Sequence, residues 1–217
     1  MLSILPLTLG IVQTNTYLVA DPASGEAVVI DPADEGARIV REAQKRGWRI
    51  NAMWLTHAHF DHIAVAADVF AHLEPPPTIA LHRSDLPLLQ MQGGAPYFGL
   101  QIADPPEPTL SLQHGQMLQV GSYNFEVRHC PGHSPGHVIF YCAAENVLFC
   151  GDVIFAGSIG RTDLPGGDFD TLIRSIRTHI LTLPDETRLY AGHGEKTTVG
   201  EERRENPYVS SREFRIP

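Results

Sequence analysis

Residues 57–62 of the 217-residue chain read His-Ala-His-Phe-Asp-His. Three histidines and one aspartate within six residues constrain this chain more than any other feature. The preceding residues, 50–55, form a short apolar run. The spacing of Ile63, Ala66, Ala67 and Phe70 after the motif is helical. His57 and His59 are two residues apart, so in an extended segment leaving a strand they point the same way. Asp61 and His62 then fall where the helix begins. The fold must therefore carry four donor side chains at one strand-to-helix turn. An aspartate is also a common helix N-cap, but capping leaves three clustered histidines unexplained.

Three more segments have the same character. Cys130-Pro-Gly-His133-Ser-Pro-Gly-His137 follows an expected strand, and its prolines and glycines fix a tight loop that aims a histidine. Leu148-Phe-Cys-Gly-Asp152 is an apolar strand ending in glycine and aspartate. Leu189-Tyr-Ala-Gly-His193-Gly194 is a strand ending in a histidine between glycines. Taken singly, each reads more simply as a turn or cap. Taken together, they place ligand-type side chains at strand ends, where folds of this class gather functional groups.

The order of elements supports an α/β chain. Strands are expected over 16–20 and 27–31, a helix over 33–48, a strand over 50–55, a helix over 62–73 and a strand over 78–81. Residues 92–113 are rich in Gly and Pro without a period, the mark of a long functional loop. Strands follow over 117–120, 123–129, 137–142 and 147–151. A helix over 168–181, a strand over 188–191 and a short helix over 199–204 precede a tail. No repeat or linker interrupts the chain, so one domain is expected over 1–217.

With 43% hydrophobic and 19% charged residues, the chain can build a substantial core. Its 16 Lys and Arg against 25 Asp and Glu leave a net charge of −9, which disfavours nucleic acid as a partner. Cys130, Cys142 and Cys150 are scattered among apolar neighbours and form no Cys-x-x-Cys pair. They read as core residues of a cytoplasmic protein. The apolar start is broken by Pro6 and Gly10, and it reads as a first strand rather than a leader or membrane span.

The ordered set His-x-His-x-Asp-His (57–62), Pro-Gly-His (131–133), Gly-Asp (151–152) and Gly-His-Gly (192–194) resembles the metallo-β-lactamase superfamily. The resemblance implies an αββα sandwich of two mixed β-sheets flanked by helices. It also implies two divalent metal ions, zinc first, with iron or manganese as alternatives. His57, His59 and His133 would hold one, Asp61, His62 and His193 the other, and Asp152 would bridge them, Asp61 and Asp152 also serving catalysis. Within the superfamily the chain is most similar to short bacterial relatives of glyoxalase II, the hydroxyacylglutathione hydrolases. Asn15-Thr-Tyr-Leu18, Val29-Ile-Asp-Pro32, Gly151-Asp-Val-Ile-Phe155, Gly160-Arg-Thr-Asp163 and Gly200-Glu-Glu-Arg203 carry that likeness.

The implied reaction is cleavage of a thioester, S-lactoylglutathione or a related acyl thioester, by a metal-bridging hydroxide. Two-metal hydrolases hold their ions roughly 3.5–4 Å apart and bring bound water to a pKa of roughly 7. No Gly-x-Ser-x-Gly nucleophile elbow is present. Two departures bear on the substrate. Only 24 residues follow His193 (217 − 193), leaving no room for the glutathione-binding helical domain of longer glyoxalase II enzymes. The Lys and Tyr that those enzymes place after the bridging Asp are replaced by Ser158-Ile-Gly-Arg-Thr-Asp163. Arg161 and Lys196 are the candidate cations for an anionic substrate, each equally readable as a solvated charge. Tyr97 and Phe98 are candidate pocket walls. Asp31 and His137 are candidates for orienting ligands, with a turn cap and a strand-end histidine as the plainer readings. The alternatives are a mono-iron persulfide dioxygenase using His57, His133 and Asp152, a lactonase, and a metal-bearing binding module without activity. The segment that should carry the cysteine of the largest zinc β-lactamase group offers none, which weighs against antibiotic cleavage.

Overall fold

The computed structural model describes residues 1–210. One six-stranded sheet runs β1 (Ser3–Leu9), β2 (Thr14–Asp21), β3 (Glu26–Ile30), β4 (Arg49–Trp54), β5 (Thr78–His82) and β6 (Leu110–Leu112), in that order. Its first three strands pair antiparallel and the rest parallel. The second sheet is built from β7 (Met117–Val120), β8 (Tyr123–His129), β9 (Val138–Cys142) and β10 (Val147–Gly151). After a small hairpin, β11 (Ile154–Phe155) and β12 (Ser158–Ile159), it is completed by β13 (Arg188–Ala191) and β14 (Thr197–Thr198). Its spatial order is β14-β13-β10-β9-β8-β7, with β10 and β13 parallel and the other pairs antiparallel. Helices α1 (Gly36–Gln44), α2 (Phe60–Ile63), α3 (Ala66–Ala71) and α4 (Leu86–Gln90) belong to the first half of the chain. Helices α5 (Phe169–His179) and α6 (Val199–Glu205) belong to the second.

Alternation along the strands builds the layers. Tyr17, Val19, Val28 and Ile30 of the first sheet share one core with Val138, Phe140, Val147 and Phe149 of the second. Leu18 and Val29 point to the opposite face and pack with Ile39 and Val40 of α1 and Ile63 of α2. Ile139, Leu148 and Cys150 do the same against Leu172 and Ile176 of α5 and Val199 of α6. Both faces of each sheet are covered, so β2, β9 and β10 are unbroken buried runs rather than half-polar ones. The layers are helix, sheet, sheet, helix, as expected. Rings of Trp54 and Phe125 (5.2 Å) and of Tyr17 and Phe149 (5.2 Å) meet edge-on across the inner core. Each fully buried side chain of this size contributes about 1.5–3 kcal/mol. Among the described residues no helix is long and apolar enough to cross a membrane.

The structure departs from the sequence reading in four places. The helix expected over 33–48 begins only at Gly36, because Asp31 and Glu35 adopt left-handed φ of 52° and 53° before it. The helix expected over 62–73 is two helices, α2 and α3. The Val65 N–H leaves the helical ladder for Pro32 O (3.3 Å), and Val65 is not helical. Residues 82–91, assigned to no element, form a turn and α4, whose Pro87 lies in the first turn and could have marked it. The stretch 92–113 is not structureless: Gln92–Phe98 coils in two short 3₁₀ turns kinked at Gly93 and Gly94, and Leu110–Leu112 adds the edge strand β6. The tail expected after α6 lies largely outside the described residues.

All three cysteines are free and buried. Burial pushes the thiols of Cys130 and Cys150 far up, so they stay protonated and inert. Replacing Cys130, Cys142 and Cys150 together by Ala is expected to cost about 1–3 kcal/mol per site in denaturant titrations. Metal content and turnover should be unchanged; loss of either in the folded triple variant would place a thiol in the chemistry.

Candidate metal centre

Four strand ends converge at one end of the sandwich. The loop after β4 carries His57 and His59, α2 carries Asp61 and His62, the β8–β9 loop carries His133, and Asp152 and His193 follow β10 and β13. The close approach sets which residues are tolerated. A Cβ on Gly192 would lie 2.1 Å from Asp152 Oδ1, and one on Gly151, at φ 45°, 2.5 Å from Thr56 Oγ1. The glycines beside Asp152 and His193 are therefore part of the site.

The seven side chains form two facing sets. His59 Nδ1 lies 2.8 Å from His133 Nε2, which lies 3.2 Å from His57 Nε2. In the second set His193 Nε2 lies 3.2 Å and His62 Nε2 3.6 Å from Asp61 Oδ2. Asp152 stands between the sets. Its Oδ1 is 3.3 Å from His62 Nε2, and its Oδ2 is 3.5 Å from His193 Nε2 and 3.7 Å from His133 Nε2. His57, His59 and His133 form one three-donor group, Asp61, His62 and His193 another, and Asp31, His57 and His62 a third.

Backbone and side-chain hydrogen bonds fix the tautomers. Asp31, held in the left-handed region, accepts from Thr56 N (2.8 Å), Thr56 Oγ1 (2.7 Å) and His62 Nδ1 (2.9 Å). With its own hydrogen given to Asp31, Thr56 Oγ1 accepts from His57 Nδ1 at 3.0 Å. One carboxylate thus turns the Nε2 atoms of two histidines toward the cluster, His62 directly and His57 through a hydroxyl. His133 Nδ1 donates to Arg161 O (2.8 Å), with the same result. His137 accepts the Asp152 N–H on Nε2 (3.0 Å) and stacks on His57 at 4.6 Å, so it positions the central carboxylate from behind. The plainer readings of Asp31 and His137 give way to these contacts.

A further residue was missed by the sequence reading. Asp85 is fully buried and accepts from Ala58 N (3.1 Å), Ser134 Oγ (2.7 Å) and Gly136 N. It ties the 57–62 loop to the 131–137 loop. Its signal in the sequence was slight, an aspartate just before Leu-Pro, which looks like ordinary turn chemistry. On the other side, Tyr17 Oη donates to Ala191 O (2.6 Å) and Asn15 N to Gly192 O (2.6 Å), anchoring the His193 turn to β2.

The electrostatics suit cations. Burial pushes His57 well down and His59 to about 3, so both present neutral lone pairs. Burial acts to raise Asp61 and Asp152, yet neighbouring His62 and His193 overcome it, holding Asp61 at about 2 and Asp152 well below the carboxylate range. Burial alone would lower His193, but its hydrogen bonds to Asp152 and Asp61 raise it to about 9. His62 Nε2 and Asp152 Oδ1 are buried without a hydrogen-bond partner. Lone pairs crowded at these distances and orphaned polar atoms aimed inward are what a metal-binding donor set looks like with its ligands in place. The cluster is consistent with a dinuclear site.

The donors floor a pocket of about 750 Å³. Tyr97 and Phe98 line it as expected, with Phe60 and Met91 beside them, and Phe155 and Ile159 form the opposite wall. Arg161 also lines it, but its guanidinium is engaged by Asp163 through Nε–Oδ1 (2.7 Å) and Nη2–Oδ2 (2.8 Å). Lys196 is exposed and does not line the pocket, because the chain turns away after His193 to enter β14. The expectation that it meets the substrate is corrected accordingly.

Comparison with known proteins agrees with this geometry. Residues 9–193 match the Metallo-beta-lactamase superfamily. The hydroxyacylglutathione hydrolase GloC of Haemophilus influenzae is 37% identical over 212 residues, 97% of this chain and 99% of that one. Among solved structures, TTHA1623 in a di-iron-bound form is 43% identical with a TM-score of 0.86, covering 94% of this chain and 100% of that one. BLEG-1, described as a B3 metallo-β-lactamase, is 37% identical with a TM-score of 0.87, covering 97% and 100%. The sandwich, the four converging strand ends and these matches agree: the chain belongs to the metallo-β-lactamase superfamily.

Proposed function

We propose that this chain hydrolyses thioesters, S-lactoylglutathione or related acyl thioesters, with two divalent cations. His57, His59 and His133 would hold one, Asp61, His62 and His193 the other, and Asp152 would stand between them. The observation that carries this reading is two three-donor sets sharing one carboxylate at the floor of a pocket. The GloC relative supports a glutathione thioester as the first substrate to test. Its alignment over 97% of this chain supports a one-domain reading. Imidazole and carboxylate suit zinc, iron and manganese alike, and the di-iron form of the TTHA1623 neighbour brings iron level with zinc.

When bound, two cations supply Lewis acidity toward a carbonyl oxygen and lower the pKa of water from about 15.7 to about 7. The chain's own residues do the rest. Asp61 and Asp152 stay ionised at neutral pH. They would balance the charge of the cations and orient the attacking water by accepting its hydrogen bond. The apolar walls keep other water from the reacting carbonyl. No cysteine competes as nucleophile, since all three lie in the core. The BLEG-1 neighbour makes β-lactams the second substrate class to test, so the missing cysteine is not sufficient ground to set them aside.

Metal analysis of the saturated protein is expected to give two ions per chain. One ion only would favour the mono-iron dioxygenase reading instead. Asp152→Ala leaves two cations facing each other without a shared carboxylate; it is expected to lose at least one ion and most thioesterase activity, on the order of 10²-fold. Near-normal turnover in that variant would show that the ligand assignment is wrong. A third expectation concerns protons. In the metal-free protein hydrogen bonds to Asp152 and Asp61 raise His193 to about 9, and the same carboxylates with Asp31 raise His62 well above its ordinary value, so both must release a proton to bind metal. Metal affinity should therefore rise with pH between 7 and 9. Calorimetry in buffers of different ionisation enthalpy should show net proton release, and a pH-independent affinity would remove His193 from the ligand set.

A further inference from the structure

The pocket above the cluster is chemically one-sided. Its walls present Phe60, Met91, Tyr97 and Phe98 on one side and Phe155 and Ile159 on the other. Met91, Tyr97 and Phe98 are 48%, 62% and 48% exposed, unusual for large apolar side chains side by side. Away from the metal-binding donors, Arg161 is the only charged side chain lining the pocket among the described residues. The Nε–Nη2 edge of its guanidinium is taken by both carboxylate oxygens of Asp163, so the pair adds no net charge. Lys196 is exposed and is not among the lining residues, and the chain as a whole carries −9.

A glutathione thioester brings two carboxylates and one ammonium. In this pocket neither carboxylate finds an unpaired cation, and moving an ionised group against apolar walls without a partner is unfavourable. An uncharged apolar substituent instead covers exposed aromatic surface, with a volume in the range of small-molecule sites. The geometry points to a thioesterase that selects uncharged, apolar acyl thioesters over glutathione thioesters. This rests on the thioester reading above and narrows its substrate class.

The step itself is ordinary hydrolysis. Water adds to the acyl carbon, the C–S bond breaks with its electron pair leaving on sulfur, and the products are a carboxylate, a thiol and a proton. The pocket acts on binding of the substituents. Each added methylene that leaves water for the wall is expected to raise kcat/KM by about fourfold until the pocket is full.

The test uses the metal-replete enzyme and one acyl series, acetyl, butyryl and hexanoyl, on two thiols, N-acetylcysteamine and glutathione. The expected result is kcat/KM rising along the series on both thiols, and every N-acetylcysteamine ester outrunning its glutathione partner. Phe98→Ser should flatten the chain-length dependence. Asp163→Asn frees Arg161 and should improve the glutathione esters selectively. Flat dependence, or a tenfold preference for glutathione esters, would overturn the proposal while leaving thioester hydrolysis intact. Calorimetry with the non-hydrolysable S-hexyl thioethers of the same thiols separates the two failures. If no thioester is turned over but the uncharged thioether binds more tightly, the pocket proposal stands and the hydrolase reading falls. Tighter binding of S-hexylglutathione overturns the pocket proposal by itself.

Discussion

His133 gives its Nδ1 hydrogen to Arg161 O and His57 its own to Thr56, so their Nε2 lone pairs face each other at 3.2 Å. That crowding is the constraint on which the rest of the molecule depends. His57, His59 and His133 come from two different sheets' loops, and nothing in their local backbone favours meeting. They are held there by bonds made elsewhere. Asp31 orders the protons of His62 and, through Thr56, of His57. Asp85 ties the two histidine loops together, and Tyr17 and Asn15 anchor the turn that carries His193. A cation between the lone pairs relieves the repulsion without breaking these bonds.

The sandwich makes this tolerable. Sheets covered on both faces give rigid strand ends, and the packing of Trp54, Phe140 and Phe149 between them fixes the separation of β4 from β10. The donors sit on short loops and one helical turn whose ends these strands hold. The pocket above them is built from the opposite material. The turn between β1 and β2, the 3₁₀ segment over Gln92–Phe98 and the β11–β12 hairpin leave apolar side chains uncovered at the rim. Chemistry lies on the rigid part and recognition on the part free to vary.

Most of the donor set was legible in the sequence because coordination chemistry admits few residue types and the strand-end pattern repeats. His57 to His62 reads as a cluster from spacing alone, whereas His133, Asp152 and His193 were each ambiguous until their shared position at strand ends joined them. Asp31 was half legible, as an aspartate closing a strand, but its left-handed backbone and three donors were not. Asp85 was invisible because its role depends on two loops 27 and 49–51 residues away. The continuous helix after the motif failed for a similar reason. Periodicity reports the apolar face, while the Val65–Pro32 contact that breaks the helix is long-range. Arg161 was correctly placed near the pocket, yet its neutralisation by Asp163 belongs to side-chain geometry that spacing does not encode.

The central claim is that the two donor sets are two metal sites sharing Asp152. Anomalous diffraction from crystals of the metal-loaded protein tests it most directly. The account predicts two peaks, one among His57, His59 and His133 and one among Asp61, His62 and His193, with the Asp152 carboxylate between them. A single peak, or peaks that leave Asp152 outside the coordination of either ion, would contradict it.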